Sequence, residues 1–343
     1  MSIKFPIVRR LLSVLSPPGP RGCLSILLFH KVPTIADPLT GEMDLARFEN
    51  ILDFLSVTAR VLPLTEATAA LKAGKLPSRA MALTFDDGYA EWINNVSPAL
   101  RRRNMPATFF VTTGPLAGGA FWHERIIAAV RALPNTGFTL PYGLGTCADL
   151  GLPGVRLRLA QELQERLKYA PLAERTGAIE VLERQAHHAI ALPSPFDAAS
   201  VRTLHSQGFE IGGHTVLHPI LTETTPAQAR AEIGGSKEEL EALIGARVRS
   251  FAYPNGRPNR DYGPEHVDLV RSLGYDLAVT TSMGVSTRHA DVFQLPRFTP
   301  WGMSFGRIAF QLARNMRTSP TPLRARTAAR NAALPCCLRN AST

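Results

Sequence analysis

The chain reads as an α/β protein built on a parallel sheet with crossover helices, and three observations lead there. Apolar runs of strand length, over residues 23–30, 81–87 and 107–112, alternate with stretches whose apolar side chains recur at helical spacing. A length of 343 residues suits one large barrel without a second domain. The alternation stops over residues 118–196, where helix follows helix, and then resumes, so that region reads as an insertion into a single domain. The expected organisation is an N-terminal segment over 1–22, a barrel over 23–312 containing the insertion, and a basic, disordered tail over 313–343.

Taken in order, residues 3–15 carry Lys4, Arg9 and Arg10 beside Leu11-Leu12-Ser13-Val14-Leu15. They fit a short amphipathic helix, either resting on a membrane surface or docked on the domain. The run is too short, and too soon broken by Pro17-Pro18-Gly19-Pro20, for a signal peptide or a membrane span. Leu45, Phe48, Ile51, Leu52 and Leu55 predict a helix over 44–58. A short strand near Val61 and a helix over 66–72 follow, then the strand ending in Asp86-Asp87 and a helix over 89–103. The insertion predicts helices over 124–133, 155–169 and 173–191, around a loop at 134–154. After it come helices over 197–206, 226–244 and 264–273, strands ending near His214, Tyr253 and Thr281, an extended piece over 293–298 and a helix over 303–316.

The formal charge is +10, from 38 Lys and Arg against 28 Asp and Glu, but its location matters more than its size. No acidic residue follows Asp291, whereas Arg297, Arg307, Arg314, Arg317, Arg324, Arg326, Arg330 and Arg339 do. The excess therefore belongs to the C-terminus, and its aromatic residues are not interleaved with positive charge as in a nucleic-acid groove. Cys23, Cys147, Cys336 and Cys337 form no C-x-x-C pair and no regular spacing, which argues against a disulfide framework or a zinc ribbon. They read as reduced thiols in a cytoplasmic protein, with peripheral membrane contact through the N-terminal helix or the tail as a further option.

Two clusters carry chemistry. Asp86 and Asp87 end a strand, and adjacent carboxylates repel unless a cation or a proton sits between them. The same pair would equally suit a helix N-cap or a turn. His214 and His218 follow a glycine pair, and two histidines four apart can converge on one metal, either along a helical turn or across a tight loop. His187 and His188, side by side in the insertion, illustrate the bland alternative of surface imidazoles. Both clusters follow strands, so both fall at the C-terminal rim of a parallel barrel, where catalytic groups gather. One Asp and two His make a three-ligand set that leaves a position free for water.

At these residues the chain resembles a known family. Thr84-Phe85-Asp86-Asp87-Gly88 and His214-Thr215-Val216-Leu217-His218 look like the two signature motifs of the polysaccharide deacetylases, the NodB-homology domain of carbohydrate esterase family 4. Phe251-Ala252-Tyr253-Pro254-Asn255-Gly256 is similar to a third motif of one branch. The resemblance implies a distorted (β/α) barrel of the NodB-homology type, a divalent metal that is usually zinc, and hydrolysis of N-acetyl groups on hexosamine sugars. It implies Asp87, His214 and His218 as metal ligands and Asp86 as general base, with Tyr253 and Asn255 toward the substrate and a backbone N–H near Asn255 as oxyanion donor. Leu295-Pro296-Arg297 lacks the histidine that most of the family places there as general acid. Phe29-His30-Lys31-Val32 resembles an element of the branch acting on poly-N-acetylglucosamine, which makes His30 the expected acid and Arg297 the residue that orients Asp86. A glycan-binding pseudoenzyme and a nucleic-acid-binding protein are the competing classes; the retained Asp86 speaks against the first, and only the tail speaks for the second.

Overall fold

The computed structural model describes residues 4–141, 149–152, 154–188, 190, 192, 196–300 and 304–324. Cys147, Cys336, Cys337 and the arginines from Arg326 onward lie outside the described residues. The elements in chain order are α1 (Lys4–Leu15), β1 (Ser25–Phe29), α2 (Leu45–Thr58), β2 (Arg60–Val61), α3 (Leu64–Lys72), β3 (Ala80–Asp87), α4 (Ser97–Arg101), β4 (Thr108–Val111), α5 (Trp122–Ala132), α6 (Val155–Leu167), α7 (Leu172–Glu183), α8 (Ala198–Ser206), β5 (Glu210–Gly213), α9 (Pro226–Ile244), β6 (Ser250–Ala252), α10 (Pro264–Ser272), β7 (Leu277–Val279), β8 (Arg297–Phe298) and α11 (Phe305–Asn315). No helix among the described residues is long and apolar enough to cross a membrane.

The strands form one parallel sheet in the order β7-β6-β5-β4-β3-β1-β8, with β2 added beside β3. A bridge from Leu295, just before β8, to Val279 of β7 joins the two ends, so the sheet curls into a distorted barrel. Alternation along the strands sorts the side chains. Phe29, Phe85 and Phe109 stack on one another beneath the helices, at 5.2 and 4.9 Å between ring centroids. Ile26, Ala82, Phe110 and Ala252 form a second cluster together with Leu64 and Leu71 of α3. The Glu210 carboxylate, at the start of β5, accepts from the backbone N–H groups of Leu64 and Thr65 and from Thr108 Oγ1. That fixes α3 at the N-terminal end of the strands and leaves the opposite rim for chemistry.

The insertion has its own apolar core, built by α5, α6 and α7 from side chains such as Ile126, Leu159, Leu163, Ile179 and Leu182. Its third helix stops at Glu183, short of the expected 191, because no large apolar side chain follows Leu182 at helical spacing before Ile190. The helix expected over 89–103 instead opens with a π-helical turn over Trp92–Val96 and continues as α4. The tail boundary at 312 also moves. α11 runs to Asn315, whose side-chain amide brackets both backbone groups of Gly284, and Thr321 and Arg324 hydrogen-bond to Ser282 and Asn259. Residues 313–324 therefore pack on the barrel.

Gly212 shows why the sequence before His214 is so small. A Cβ there would lie 2.4 Å from the Phe110 ring. Overpacking a filled core costs about 1–3 kcal/mol, so Gly212→Ala should lose stability of that order, read as a lower urea midpoint with unchanged slope.

Candidate metal centre

β3 delivers Asp86 and Asp87 to the rim, and neighbours in a strand normally diverge to opposite faces. Here they do not, because Asp87 takes φ 91°, outside the usual range of a residue with a Cβ. Both aspartates consequently reach His214, whose Nε2 lies 4.0 Å from Asp86 Oδ2 and 3.4 Å from Asp87 Oδ1. His218 Nε2 lies 3.5 Å from the same Asp87 oxygen.

The two histidines converge across a tight loop. Thr215 (φ 66°) and His218 (φ 55°) both adopt left-handed backbone, which no α-helix includes. Three contacts hold the loop. His218 donates its backbone N–H to Thr215 Oγ1, and the Glu232 carboxylate of α9 accepts from the N–H groups of Val216 and Leu217. The Nδ1 of His214 lies 2.8 Å from the Ala252 carbonyl at the end of β6. Nδ1 must therefore carry a proton, and Nε2 is the nitrogen turned toward Asp87.

Oxygen and nitrogen atoms of Asp87, His214 and His218 all lie within 4.8 Å of one another. The donor set fits a divalent cation of the zinc type on two counts. Burial, with His214 and His123 nearby, pushes the His218 imidazole down to about 3 despite Asp87, so it is neutral. Burial alone would raise Asp87, but the hydrogen bond from His214 and the neighbouring His218 and His30 hold it well below the usual carboxylate range. For His218 and Asp87 these are the states a metal requires; burial would lower His214, but Asp86 and Asp87 hold it above its ordinary value, so a cation would displace a proton there.

Asp86 has a different partner. Arg297 of β8, fully buried, donates Nη1 to Oδ1 and Nη2 to Oδ2, both at 2.6 Å. Its Nε donates to the Thr280 carbonyl and Nη1 also to Thr84 Oγ1, so the guanidinium is fixed from three sides. Burial would raise the Asp86 carboxyl, yet Arg297, with His214 and His30, holds it below its ordinary value. His30 follows β1, one residue past the Phe29–Phe85 ladder pair and so beside Asp86. Its carbonyl accepts from the Trp92 indole and the Val32 carbonyl from Asn95, so the π-helical turn pins this loop.

The chain matches a protein-family model named polysaccharide deacetylase over residues 73–145 and 177–278, more than half of its length. This chain belongs to the polysaccharide deacetylase family. Among solved structures, a deacetylase of Streptococcus pyogenes, PplD, in complex with acetate shares the fold at TM-score 0.57 and 18% identity, covering 84% of this chain and 98% of that one. IcaB from Ammonifex degensii superposes at TM-score 0.55 and 18% identity, over 87% and 98%. YxkH of Bacillus subtilis (strain 168) is 21% identical over 276 residues, which is 80% of this chain and 70% of that protein. The distorted barrel expected of the family is thus the fold observed.

Of the residues singled out in the sequence of this deacetylase-family chain, Asp86, Asp87, His214, His218 and Arg297 meet at one point, with His30 beside them. Tyr253 does not join them. It is fully buried, its ring stacks on Tyr262 at 4.0 Å, and its hydroxyl donates to the Phe293 carbonyl, so alternation along β6 turns it toward α10 and away from the rim. Asn255 lies past the end of β6 with φ 57°, and its backbone N–H has no partner among the described residues. Two further residues at the site carry weaker sequence signals. Tyr89 donates its hydroxyl to Asp87 Oδ2 at 3.1 Å, and His123 Nε2 lies 3.1 Å from the same hydroxyl. Tyr89 stands next to the Asp-Asp-Gly turn, which could have marked it; His123 enters from the insertion, and nothing local to it marks a site.

The Asp86–Arg297 pair makes a test of stability against pH. A carboxyl held below its unfolded value contributes stability above the unfolded pKa of about 3.9, and that contribution is lost as pH falls through the lower folded value. Arg297→Met leaves a buried carboxylate unpaired and should cost about 3–5 kcal/mol at pH 7. The gap from the unmutated protein should narrow below about pH 4, measured by urea unfolding at both pH values.

Proposed function

We propose that this chain is a metal-dependent N-deacetylase that hydrolyses the acetamide of an N-acetylhexosamine unit, releasing acetate and a free amine. The observation that carries the reading is the division of labour between neighbouring aspartates: Asp87 faces two imidazoles, while Asp86 is clamped by Arg297 with one edge left toward the same point. Asp87, His214 and His218 would hold the cation, Zn²⁺ by its N, N, O ligand set, which when bound supplies Lewis acidity and lowers the pKa of a water to about 7.

The chain's own groups do the rest. Asp86, ionised beside Arg297, accepts a proton from the attacking water. The backbone N–H of Asn255, unpartnered among the described residues, donates to the developing oxyanion. His30 returns a proton to the departing amine, in place of the C-terminal histidine that this chain lacks. Tyr89, donating to Asp87, keeps that carboxylate's second oxygen occupied and its first turned toward the histidines. A pseudoenzyme would have no need of a buried, fully ionised Asp86, whose upkeep requires Arg297.

Asp86→Asn should retain a full equivalent of bound metal and lose about 10²–10⁴ in acetate release, the range of a general base. Asp87→Ala should lose the metal itself, read by elemental analysis. His30→Ala should lower kcat with metal content intact. Undiminished acetate release from both Asp86→Asn and His30→Ala would sink the assignment.

We also infer peripheral contact with an anionic membrane, at the level of partner. α1 docks through Leu12 and Phe5, the latter against Phe54 and Phe305, and leaves Ile7, Leu11 and Val14 exposed; α11, packed beside it, exposes Phe310. The same two helices carry exposed Arg9, Arg10, Arg307 and Arg314. Apolar surface next to arginines suits a lipid interface. Co-sedimentation with phosphatidylserine vesicles, lost in Leu11→Glu/Val14→Glu and in pure phosphatidylcholine, is the expected outcome; equal binding by the variant would refute it.

A further inference from the structure

A cavity of about 640 Å³ opens between the insertion and the loop that carries the histidines. It shares a wall with the metal centre. Phe121 lines it and also stacks on His123 and meets the His218 ring edge-on, at 6.3 Å between ring centroids, and Leu217, between the two histidines, lines it from the other side. A substrate seated at the metal would therefore extend into this space.

The cavity's charges are unevenly satisfied. Arg125 is neutralised by a two-pronged pair with Glu183, and Glu232 is committed to the Val216 and Leu217 N–H groups. Glu223 is a carboxylate at the margin. Arg175 stands apart. It is 8% exposed, its guanidinium lies over the Trp122 ring at 4.9 Å, and that guanidinium makes no hydrogen bond or ion pair with any described residue; its Nε is buried with no acceptor. Lys168, half-buried on the same cavity, likewise has no ion pair among the described residues. Burial depresses both groups, so each would gain from an anion brought to it. A buried guanidinium with unused donors is costly in isolation and matches the planar oxygens of a phosphate or carboxylate.

We propose that this cavity is a subsite for an oxyanion group, phosphate or carboxylate, borne by the same N-acetylated sugar whose acetamide reaches the metal centre. The sugar half of that statement rests on the deacetylase reading; the anion half rests on Arg175 and Lys168. A neutral homopolymer would leave Arg175 unpaired, whereas a charged glycan or phosphorylated precursor fills the gap that the insertion creates.

Isothermal titration of the full, zinc-loaded chain tests it, with N-acetylglucosamine 1-phosphate, N-acetylmuramic acid and neutral N-acetylglucosamine as ligands. A hydrogen-bonded charge contact of about 1.5–3 kcal/mol predicts at least one charged sugar binding about 10–100-fold more tightly than the neutral one. The phosphate and carboxylate arms show which anion is preferred. Arg175→Gln and Lys168→Gln should each collapse that ratio, and Arg175→Lys should keep part of it. Thermal unfolding checks that each variant is folded, and Lys168→Gln carries the test should loss of the Trp122 contact unfold the Arg175 variant. Equal affinity for charged and neutral sugars, or a ratio untouched by the folded variants, overturns the proposal. Charge-selective binding without acetate release from any sugar would overturn the hydrolase reading and leave the anion site standing.

Discussion

A carboxylate almost sealed from water stays ionised only beside a fixed cation, and in this protein the cation comes from the strand that closes the barrel. Arg297 on β8 spans the interior to Asp86 on β3, and two of its three remaining donors go to Thr280 and Thr84. Barrel closure and the charge state of Asp86 are therefore one feature. Such a pair contributes little net stability once the desolvation of both ions is counted. In the proposed reaction its value is chemical: it holds Asp86 in one orientation, deprotonated, at the point where Asp87, His214 and His218 converge.

The candidate ligands depend on strain at the same rim. Asp87, Thr215, His218 and Asn255 all have positive φ without being glycine, and each such residue costs of order 1–3 kcal/mol. The surrounding structure offsets this. Glu232 anchors the histidine loop from α9, Tyr89 holds Asp87, and the π-helical turn pins the His30 loop through Trp92 and Asn95. The helical insertion is more than padding, since it supplies His123 behind Tyr89 and one wall of the neighbouring cavity. On the proposed reading, specificity is assigned to the insertion and catalysis to the strand ends and the loops that follow them.

Much of this is legible in the amino-acid sequence alone. The alternation of apolar runs with helical spacing locates β1, β3, β4 and most helices to within a few residues, and the Asp-Asp-Gly and His-x-x-x-His clusters mark the rim because strand ends must present them there. Arg297 is legible only through the resemblance, since an isolated arginine carries no local signal. What stays hidden depends on long-range contact. Tyr253 follows an apolar strand and its facing is set by alternation across a three-residue β6, too short to read. His123 becomes meaningful only once α5 folds back over Tyr89. The extra length of the barrel, from residue 313 to 324, rests on hydrogen bonds from Asn315, Thr321 and Arg324, and such contacts leave no periodic pattern.

The most direct test is a zinc-edge anomalous difference map from a crystal of the zinc-loaded protein. The expected result is one strong peak about 2.0–2.2 Å from His214 Nε2, His218 Nε2 and an Asp87 oxygen, with Asp86 outside the coordination sphere and still clamped by Arg297. A peak bound by other residues, or Asp86 released from Arg297 to serve as a ligand, would contradict the separation of metal-holding and proton-accepting roles between the two aspartates.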